Sequence, residues 1–359
     1  MTYDNVLAYP PFSLEKAKKA ELITSGLKEL TQHHRRYCSE YDRMMRAIRF
    51  FEDDVISMDQ IPFLPVRLFK EFDLRSIDDD AIFKVMTSSG TSGQQVSKIY
   101  LDRENAANQQ KTLLQIVKTF TGAARIPMII IDCPDVLKNR AMFSARGAGI
   151  LGFSIFGSKR IYALDNDMQL QFEELEHFIA AHKDEKILVF GFTFMIWQHF
   201  YQVLKEQNKH LNLENAILIH GGGWKKLIQE SVSPAAFNHA LHDVCNVSRV
   251  CNYYGMVEQT GCIYMECECG HLHTSTYSDV LIRRGDDFSL AAFGEKGIIQ
   301  VLSLLPKSYP GHSLLTEDEG ILHGEDDCPC GRKGKYFSVL GRLENAEIRG
   351  CSDTYAQKF

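Results

Sequence analysis

Two groups of residues in this chain have types and spacings suited to chemistry. They are cysteines in short glycine-ended pairs, and serines, threonines and glycines gathered in loops between apolar runs. Cys267-x-Cys269-Gly and Cys328-x-Cys330-Gly repeat one pattern, in which a glycine lets the chain fold back so that sulfurs converge. Zinc takes four such ligands tetrahedrally, so the two pairs predict one structural Zn2+ site; two turns without metal are the alternative. Another cysteine, Cys351, stands in the polar closing stretch IRGCSDTYAQKF. Structural cysteines are normally buried, and a polar tail buries little, so Cys351 is either a thiol without a role or a nucleophile. Cys38, Cys133, Cys245, Cys251 and Cys262 lie in or near apolar stretches and read as packing residues.

Three loops are suited to a nucleotide. The first gathers Ser88, Ser89, Gly90, Thr91, Ser92 and Gly93, with Lys98 beyond them. Hydroxyls and bare backbone N–H groups in one loop cradle phosphate, and Lys98 would add positive charge. The Walker A spacing is absent. The second loop, ILIHGGGWKKL, sets Gly221, Gly222 and Gly223 directly after a predicted strand. Ligands of open α/β sheets sit at such strand ends, where glycine lets backbone approach a flat group. An esterase oxyanion loop would need a G-x-S-x-G elbow, and none exists. The third loop, CNYYGMVEQTGC, turns at Gly255; Tyr254 offers an aromatic face and Glu258 a hard oxygen ligand for Mg2+. Gly147, Gly149 and Gly152 also show G-x-G-x-x-G spacing, with Asp165 downstream. A dinucleotide loop needs a strand feeding the first glycine, whereas NRAMFSAR reads as helix, so these glycines are expected on a packed helix.

The elements that must position these loops belong to a soluble-enzyme composition. The chain has 359 residues, 45% hydrophobic and 24% charged, with a formal charge of −6 that gives no basic field for nucleic acid. No secretory signal is visible, and ILVFGFTFMIW is too short to span a bilayer, so a cytoplasmic protein without membrane insertion is expected. Ten cysteines without a signal argue against a disulfide framework. The opening third reads helical, its first helix capped by Ser13, until Pro62 and Pro65 break the pattern. The runs RIPMIIIDCP, RIYALDN, KILVFGF, NAILIHGGG and RVCNYYG then read as buried parallel strands alternating with helices. From Gly294 the texture turns to short, glycine-punctuated strands. The fold class is α/β, with mostly parallel sheets flanked by helices and a smaller β-rich subdomain. Expected segments are a helical part at 1–80, an α/β core at 81–293, the β-rich subdomain with zinc at 294–340, and a hinge and tail at 341–359.

Taken in order, these segments resemble the adenylate-forming enzymes, the acyl-CoA synthetase and ligase superfamily. TSSGTSGQQVSK resembles their phosphate loop, while GGGW, ending in Trp224, and YYGMVE resemble their adenine and Mg2+ motifs. LLTEDEG resembles the motif whose aspartate holds the ribose, here Asp318, and VLGRLENAEIRG the hinge motif whose arginine contacts the nucleotide, here Arg342. The stretches MECECGHLH and CPCGRKGKYFSVLGRL resemble the phenylacetate–CoA ligase branch, which implies His273 in place of one zinc cysteine. That branch continues past its hinge into a domain bearing a catalytic lysine, and this chain stops just past its hinge. IPFLP…LFK, TSSGT, GGGWK and the closing GCS resemble instead the LuxE-type acyl-protein synthetases.

The resemblance implies an adenylate-forming fold, ATP and Mg2+, and a fatty acid activated as acyl-AMP and passed to Cys351 as a thioester. An acyl donor and an acyl-CoA reductase-type acceptor are the implied partners. The branch's C-terminal lysine has no counterpart, which leaves Lys98 as the candidate cation, and Arg349 beside Cys351 would favour a thiolate. Two alternatives stay open: a ligase that uses CoA directly, and a nucleotide-binding subunit without catalysis.

Overall fold

The computed structural model describes residues 6–88, 95–123, 125–137, 145–224 and 229–343. They fall into two compact units, one within Met1–Ser88, Gln95–Val117 and Tyr254–Glu347, the other within Lys118–Tyr253.

The second unit is built on the apolar runs. β4 (Ile126–Ile131), β5 (Gly157–Tyr162), β6 (Ile187–Phe192), β7 (Ala216–Gly221) and β8 (Arg249–Tyr254) stand in the order β8-β7-β6-β4-β5, and every pairing is parallel. β4, β6 and β7 are buried along their whole length, as expected of strands covered on both faces. Helix Phe172–Ala181 supplies Leu175 to the covering layer, and Pro234–Cys245 supplies Phe237, Leu241 and Val244. The latter starts and stops by local rules: Ser233 Oγ accepts the Ala236 N–H, Pro234 sits at the first turn, and Asn246 closes it at φ 53°. FGFTFMIW is core, with Phe194, Met195, Ile196 and Trp197 all buried as β6 passes into a short helix and the π-helix Ile196–Tyr201. The G-x-G-x-x-G glycines lie on helix Ala145–Phe153, where a Cβ at Gly149 would come within 2.8 Å of the Phe192 ring.

The first unit has an antiparallel sheet. Its strands run β11 (Ser278–Arg283), β12 (Lys296–Ser303), β13 (Ser313–Glu325), β14 (Lys335–Arg342), β10 (Leu272–His273) and β9 (Tyr264–Glu266), with β1 (Leu64–Pro65) parallel to β13. The change of texture at Gly294 therefore falls inside a sheet that β9, β10 and β11 have already begun. A separate hairpin pairs β2 (Lys84–Thr87) with β3 (Lys98–Leu101). Tyr41, Met45, Phe69, Tyr264, Val280, Ile299, Leu314 and Phe337 fill the core.

Helix Lys16–Tyr37 opens the first unit, but Ser13 does not cap it. Ser13 Oγ donates to Pro10 O at 2.9 Å, and the Lys16 N–H donates instead to Asp326 Oδ2 at 2.8 Å. A carboxylate from the β13–β14 loop thus takes the helix N-terminus, where negative charge is favoured. One turn on, Lys19 is fully buried and reaches Asp279 of β11 at 3.5 Å and Thr274 Oγ1 at 2.6 Å. Lys335 of β14 meets the other oxygen of Asp279 at 3.0 Å. Burial alone would raise the Asp279 pKa, but the two ammonium groups hold it below the ordinary carboxylate value. Among the described residues, no helix is long and apolar enough to cross a membrane.

Removing the shared carboxylate takes the nearest counter-ion from two buried cations. Asp279→Asn is expected to lower unfolding free energy by about 3–5 kcal/mol, read from urea titrations followed by circular dichroism. A loss under about 1 kcal/mol would show that the lysines find water or another partner.

Candidate functional site

In the first unit, Tyr254, Asp318 and Arg342 meet through the ladder of β13 and β14. Asp318 and Arg342 are cross-strand partners, and Arg342 Nε lies 3.8 Å from Asp318 Oδ1. Tyr254 Oη donates to the other carboxylate oxygen, Oδ2, at 2.7 Å. Thr316 sets the aspartate backbone: its hydroxyl accepts the Asp318 N–H at 3.1 Å and lies 2.8 Å from Ile299 O. Burial raises the Asp318 pKa, with Tyr254 and Arg342 pulling against it, and burial beside that carboxylate raises Tyr254 well above its ordinary value. Tyr254 therefore stays a neutral donor, and Asp318 keeps Oδ1 available to accept from another hydroxyl.

Glu258 sits on the 3-10 turn Val257–Gln259 and is only 5% exposed. Gln259 fixes this turn by donating through Nε2 to Gly311 O at 2.8 Å and Val301 O at 3.1 Å. Burial raises the Glu258 pKa; the Ser97 side chain and its own backbone amide partly offset that, and Glu317 adds to the rise. A buried carboxylate of this kind is a ready ligand for a hard cation.

Ser88 and Lys98 frame the first loop. The β2–β3 register ends at Thr87 opposite Lys98, and Ser88 Oγ accepts the Ser97 N–H at 2.9 Å. Ser89, Gly90, Thr91, Ser92 and Gly93 lie outside the described residues, as do Arg349 and Cys351. Lys98 is exposed and lies 3.9 Å from Asp73.

In the second unit the glycine turn leaves the carboxyl end of β7. A Cβ at Gly221 would fall 2.5 Å from the Tyr253 ring, and Gly222 has φ +76°, so neither position takes a side chain without strain. A Cβ at Gly223 would meet nothing within 4 Å. Thr193 holds the turn, its hydroxyl 2.9 Å from both Gly222 O and His220 Nδ1. Trp224 packs against Trp197 and Phe237, centroids 5.2 and 5.9 Å away, so its ring belongs to an aromatic cluster. What the turn offers a flat ligand is bare backbone.

The paired cysteines form matching turns. Gly270 N–H returns to Cys267 O and Gly331 N–H to Cys328 O, both at 2.9 Å, with the glycines at φ +77° and +80°. The turns bring Cys267, Cys328, Cys330 and His273 together, their ligand atoms within 4.8 Å of one another. Cys269 is exposed and stands apart from this set. Cys267 Sγ and Cys328 Sγ are 3.9 Å apart, and Cys330 Sγ is 3.3 Å from His273 Nε2. Tetrahedral zinc with Zn–S bonds of about 2.3 Å needs sulfurs roughly 3.8 Å apart, so the donor set and spacing fit that ion. Burial, followed by the charge of Arg332, lowers the His273 pKa to about 4, which leaves the ring neutral near pH 7.

Sequence reasoning missed several of these partners. Thr316-x-Asp318 carries a readable signal, a hydroxyl two residues before the amide it accepts. His271, with Nδ1 3.6 Å from Cys328 Sγ, sits in the same stretch as His273, and nothing local separates the two. Gln259 and Thr193 carry no local signal.

The chain matches the family described as "Acyl-protein synthetase, LuxE" over residues 2–359. It is 23% identical to the long-chain-fatty-acid–luciferin-component ligase of Aliivibrio fischeri, covering 89% of this chain and 82% of that protein. Against the Vibrio harveyi protein of the same name, identity is 21%, over 97% and 90%. Among solved structures, 2-hydroxyisobutyryl-CoA ligase in an open conformation, with 2-HIB-AMP and CoA, superposes with a TM-score of 0.73. That match has 16% identity and covers 94% of this chain and 78% of the other, and the same ligase in its thioesterification state gives 0.70. The fold is that of the adenylate-forming ligases, and the chain belongs to the LuxE family of acyl-protein synthetases.

Proposed function

We propose that this chain activates a long-chain carboxylic acid with Mg·ATP and then stores the acyl group as a thioester on Cys351. Family membership and the names of its two relatives support activation of a fatty acid. The observation that carries the reading to particular residues is the Tyr254–Asp318–Arg342 contact beside the buried Glu258.

In the first step a carboxylate oxygen of the substrate attacks the α-phosphorus of ATP. The bond to the β-phosphate breaks, and pyrophosphate leaves with the electron pair. Two anions must approach, so catalysis is positioning plus charge neutralisation. The roles are assigned as follows. The loop from Ser88 to Gly93 cradles phosphate, with Lys98 as the cation at its edge. Glu258 holds Mg2+. Asp318 uses Oδ1 to accept from the ribose hydroxyls, while Tyr254 occupies Oδ2 and sets its ring beside the base. Arg342 balances the charge of Asp318.

In the second step the thiolate of Cys351 attacks the acyl carbonyl carbon. The carbon–oxygen bond to AMP breaks, and AMP departs as the leaving group. The thiol proton passes to solvent, and a reductase-type partner draws on the stored acyl group. A zinc ion on Cys267, His273, Cys328 and Cys330 belongs to the same reading, as a structural element. Transfer to CoA is the second reading, drawn from the CoA in the solved ligase.

Intact-protein mass spectrometry after incubation with Mg·ATP and fatty acids, without CoA, separates the two. The thioester reading expects an acyl-sized mass gain that hydroxylamine removes and Cys351→Ser abolishes. ATP consumption that requires CoA and ignores Cys351→Ser would establish the CoA reading instead.

Adenylation itself is read by pyrophosphate exchange. Asp318→Asn is expected to raise the KM for ATP about 10- to 100-fold, the worth of a hydrogen bond to a charged group. Asp318 acts ionised and burial raises its pKa. Activity should therefore fall on acidification at a pH above the ordinary aspartate value of about 3.9, because a raised pKa protonates earlier on descent. Glu258→Gln should lower the rate by about 100-fold. An acid limb at the ordinary aspartate value would contradict the burial assigned to Asp318.

A further inference from the structure

The β13–β14 hairpin has a different chemistry at each end. At one end Asp318 faces Arg342 and receives the Tyr254 hydroxyl. At the other the ladder closes with Glu325 opposite Lys335, and the loop beyond carries Cys328 and Cys330. At about 3.3 Å per residue, these ends lie on the order of 23 Å apart.

Little inside the hairpin fixes its register. The ladder slips between Glu319 and Gly320, and again between Leu322 and Gly324. The loop Asp326–Gly334 is far longer than the tight turns that set register by themselves. Burial along β14 decays from Lys335, Tyr336 and Phe337 to an exposed Leu340, so alternation of apolar faces fades toward the Asp318 end. Sliding β14 by one residue would turn the Arg342 side chain to the opposite face.

β13 is held along its length by β12 and β1, whereas β14 is tied to elements outside the hairpin at its cysteine end. Asp326 accepts the Lys16 N–H at 2.8 Å and the Gly334 N–H at 2.7 Å. Cys328 and Cys330 converge on Cys267 and His273, which come from the β9–β10 turn and from β10. β10 pairs β14 through Leu272–Phe337 and His273–Tyr336, and the Thr274 N–H extends the contact to Lys335 O. β9 is the first strand after the segment that carries Tyr254 and Glu258. The four ligands therefore join the arm bearing Tyr254 to the start of β14, at the end remote from Arg342.

We propose that one zinc-class divalent cation on Cys267, His273, Cys328 and Cys330 pins the register of β14 against β13 and thereby holds Arg342 opposite Asp318. The ion's part is geometric, and no bond in the reaction involves it. The assignment of Asp318 to the nucleotide rests on the function proposed above, whereas the metal and the register do not.

The test joins metal analysis with hydrogen exchange on the full-length chain. Purified under reducing conditions, wild type should carry one zinc per chain by plasma mass spectrometry. Cys269→Ser and His271→Ala should keep it, and His273→Ala and the Cys328→Ser/Cys330→Ser double variant should lose it. A metal-free wild type overturns the site, and loss in His271→Ala with retention in His273→Ala overturns the ligand set. Exchange is then compared before and after stripping with a chelator. Peptides spanning β14, including Arg342, should exchange at least about 10-fold faster in the stripped protein, while β12, β4, β6 and β7 keep their protection. Faster exchange confined to the cysteine turns overturns the register role, and so does loss of protection throughout both units. Re-addition of Zn2+, or a Cys330→His variant that still binds it, should restore slow exchange. These readouts do not use ATP, so they stand even where pyrophosphate exchange fails. Where exchange is active, stripping should raise the KM for ATP about 10-fold or more with a smaller change in kcat, as loss of ground-state binding requires.

Discussion

One buried carboxylate governs how the first unit comes together. Asp279 has no exposed surface, and its two oxygens are taken by Lys19 from the opening helix and Lys335 from β14. An ion pair removed from water contributes little net stability, but leaving any member without its partners is costly, so it specifies an arrangement rather than strengthening it. Helix Lys16–Tyr37, β11 and the start of β14 must all dock for the charges to cancel. The fit is close enough that Gly334, just before β14, has φ +97° and room only for hydrogen. A Cβ there would lie 2.9 Å from Thr274 O and 3.0 Å from Lys19 Nζ.

From this hub the constraint weakens along β14. Its first residues are locked by Asp279, by Thr274 and by pairing with β10, and its last are exposed. That gradient suits a binding strand. The end of β14 that meets a ligand presents Arg342 to solvent, so it is not held there by its own burial. Its position must come from the other end, through the stiffness of a paired ladder. The Asp318–Arg342 pairing is then a read-out of the hub as much as a local contact: it forms only when β14 arrives in register against a β13 already held by β12.

How far this was legible in the sequence follows from the range of each interaction. β4, β6 and β7 announced themselves because strands covered on both faces leave unbroken apolar runs. Tyr254, Glu258 and Asp318 were visible as motifs, and the structure shows what the motifs left out: Tyr254 and Asp318 are partners of each other. The Ser13 cap failed because the Lys16 N–H is taken by Asp326, 310 residues on, and no local rule anticipates such a donor–acceptor pair. Cys269 could not be told from Cys267 by spacing. The difference arises because the β9–β10 turn buries one thiol and faces the other to solvent.

The same distinction explains why cysteines serve at this position where a larger core might have done so. The buried apolar cluster around the turns consists of Cys267, Cys328 and Tyr336, with Cys330 against it. Ordering each residue of the Asp326–Gly334 loop costs about 1–2 kcal/mol of backbone entropy, far more in sum than so small a cluster returns by burial. Polar bonds from Asp326 recover part of it, at the cost of charge near the surface. Ligands that converge on a single point restrain several residues at once and need no apolar volume, so a slender loop can be held beside a strand whose far end stays open to solvent. A hydrophobic plug large enough for the same task would have to spread along β14, and it would cover the face on which Asp318 and Arg342 stand.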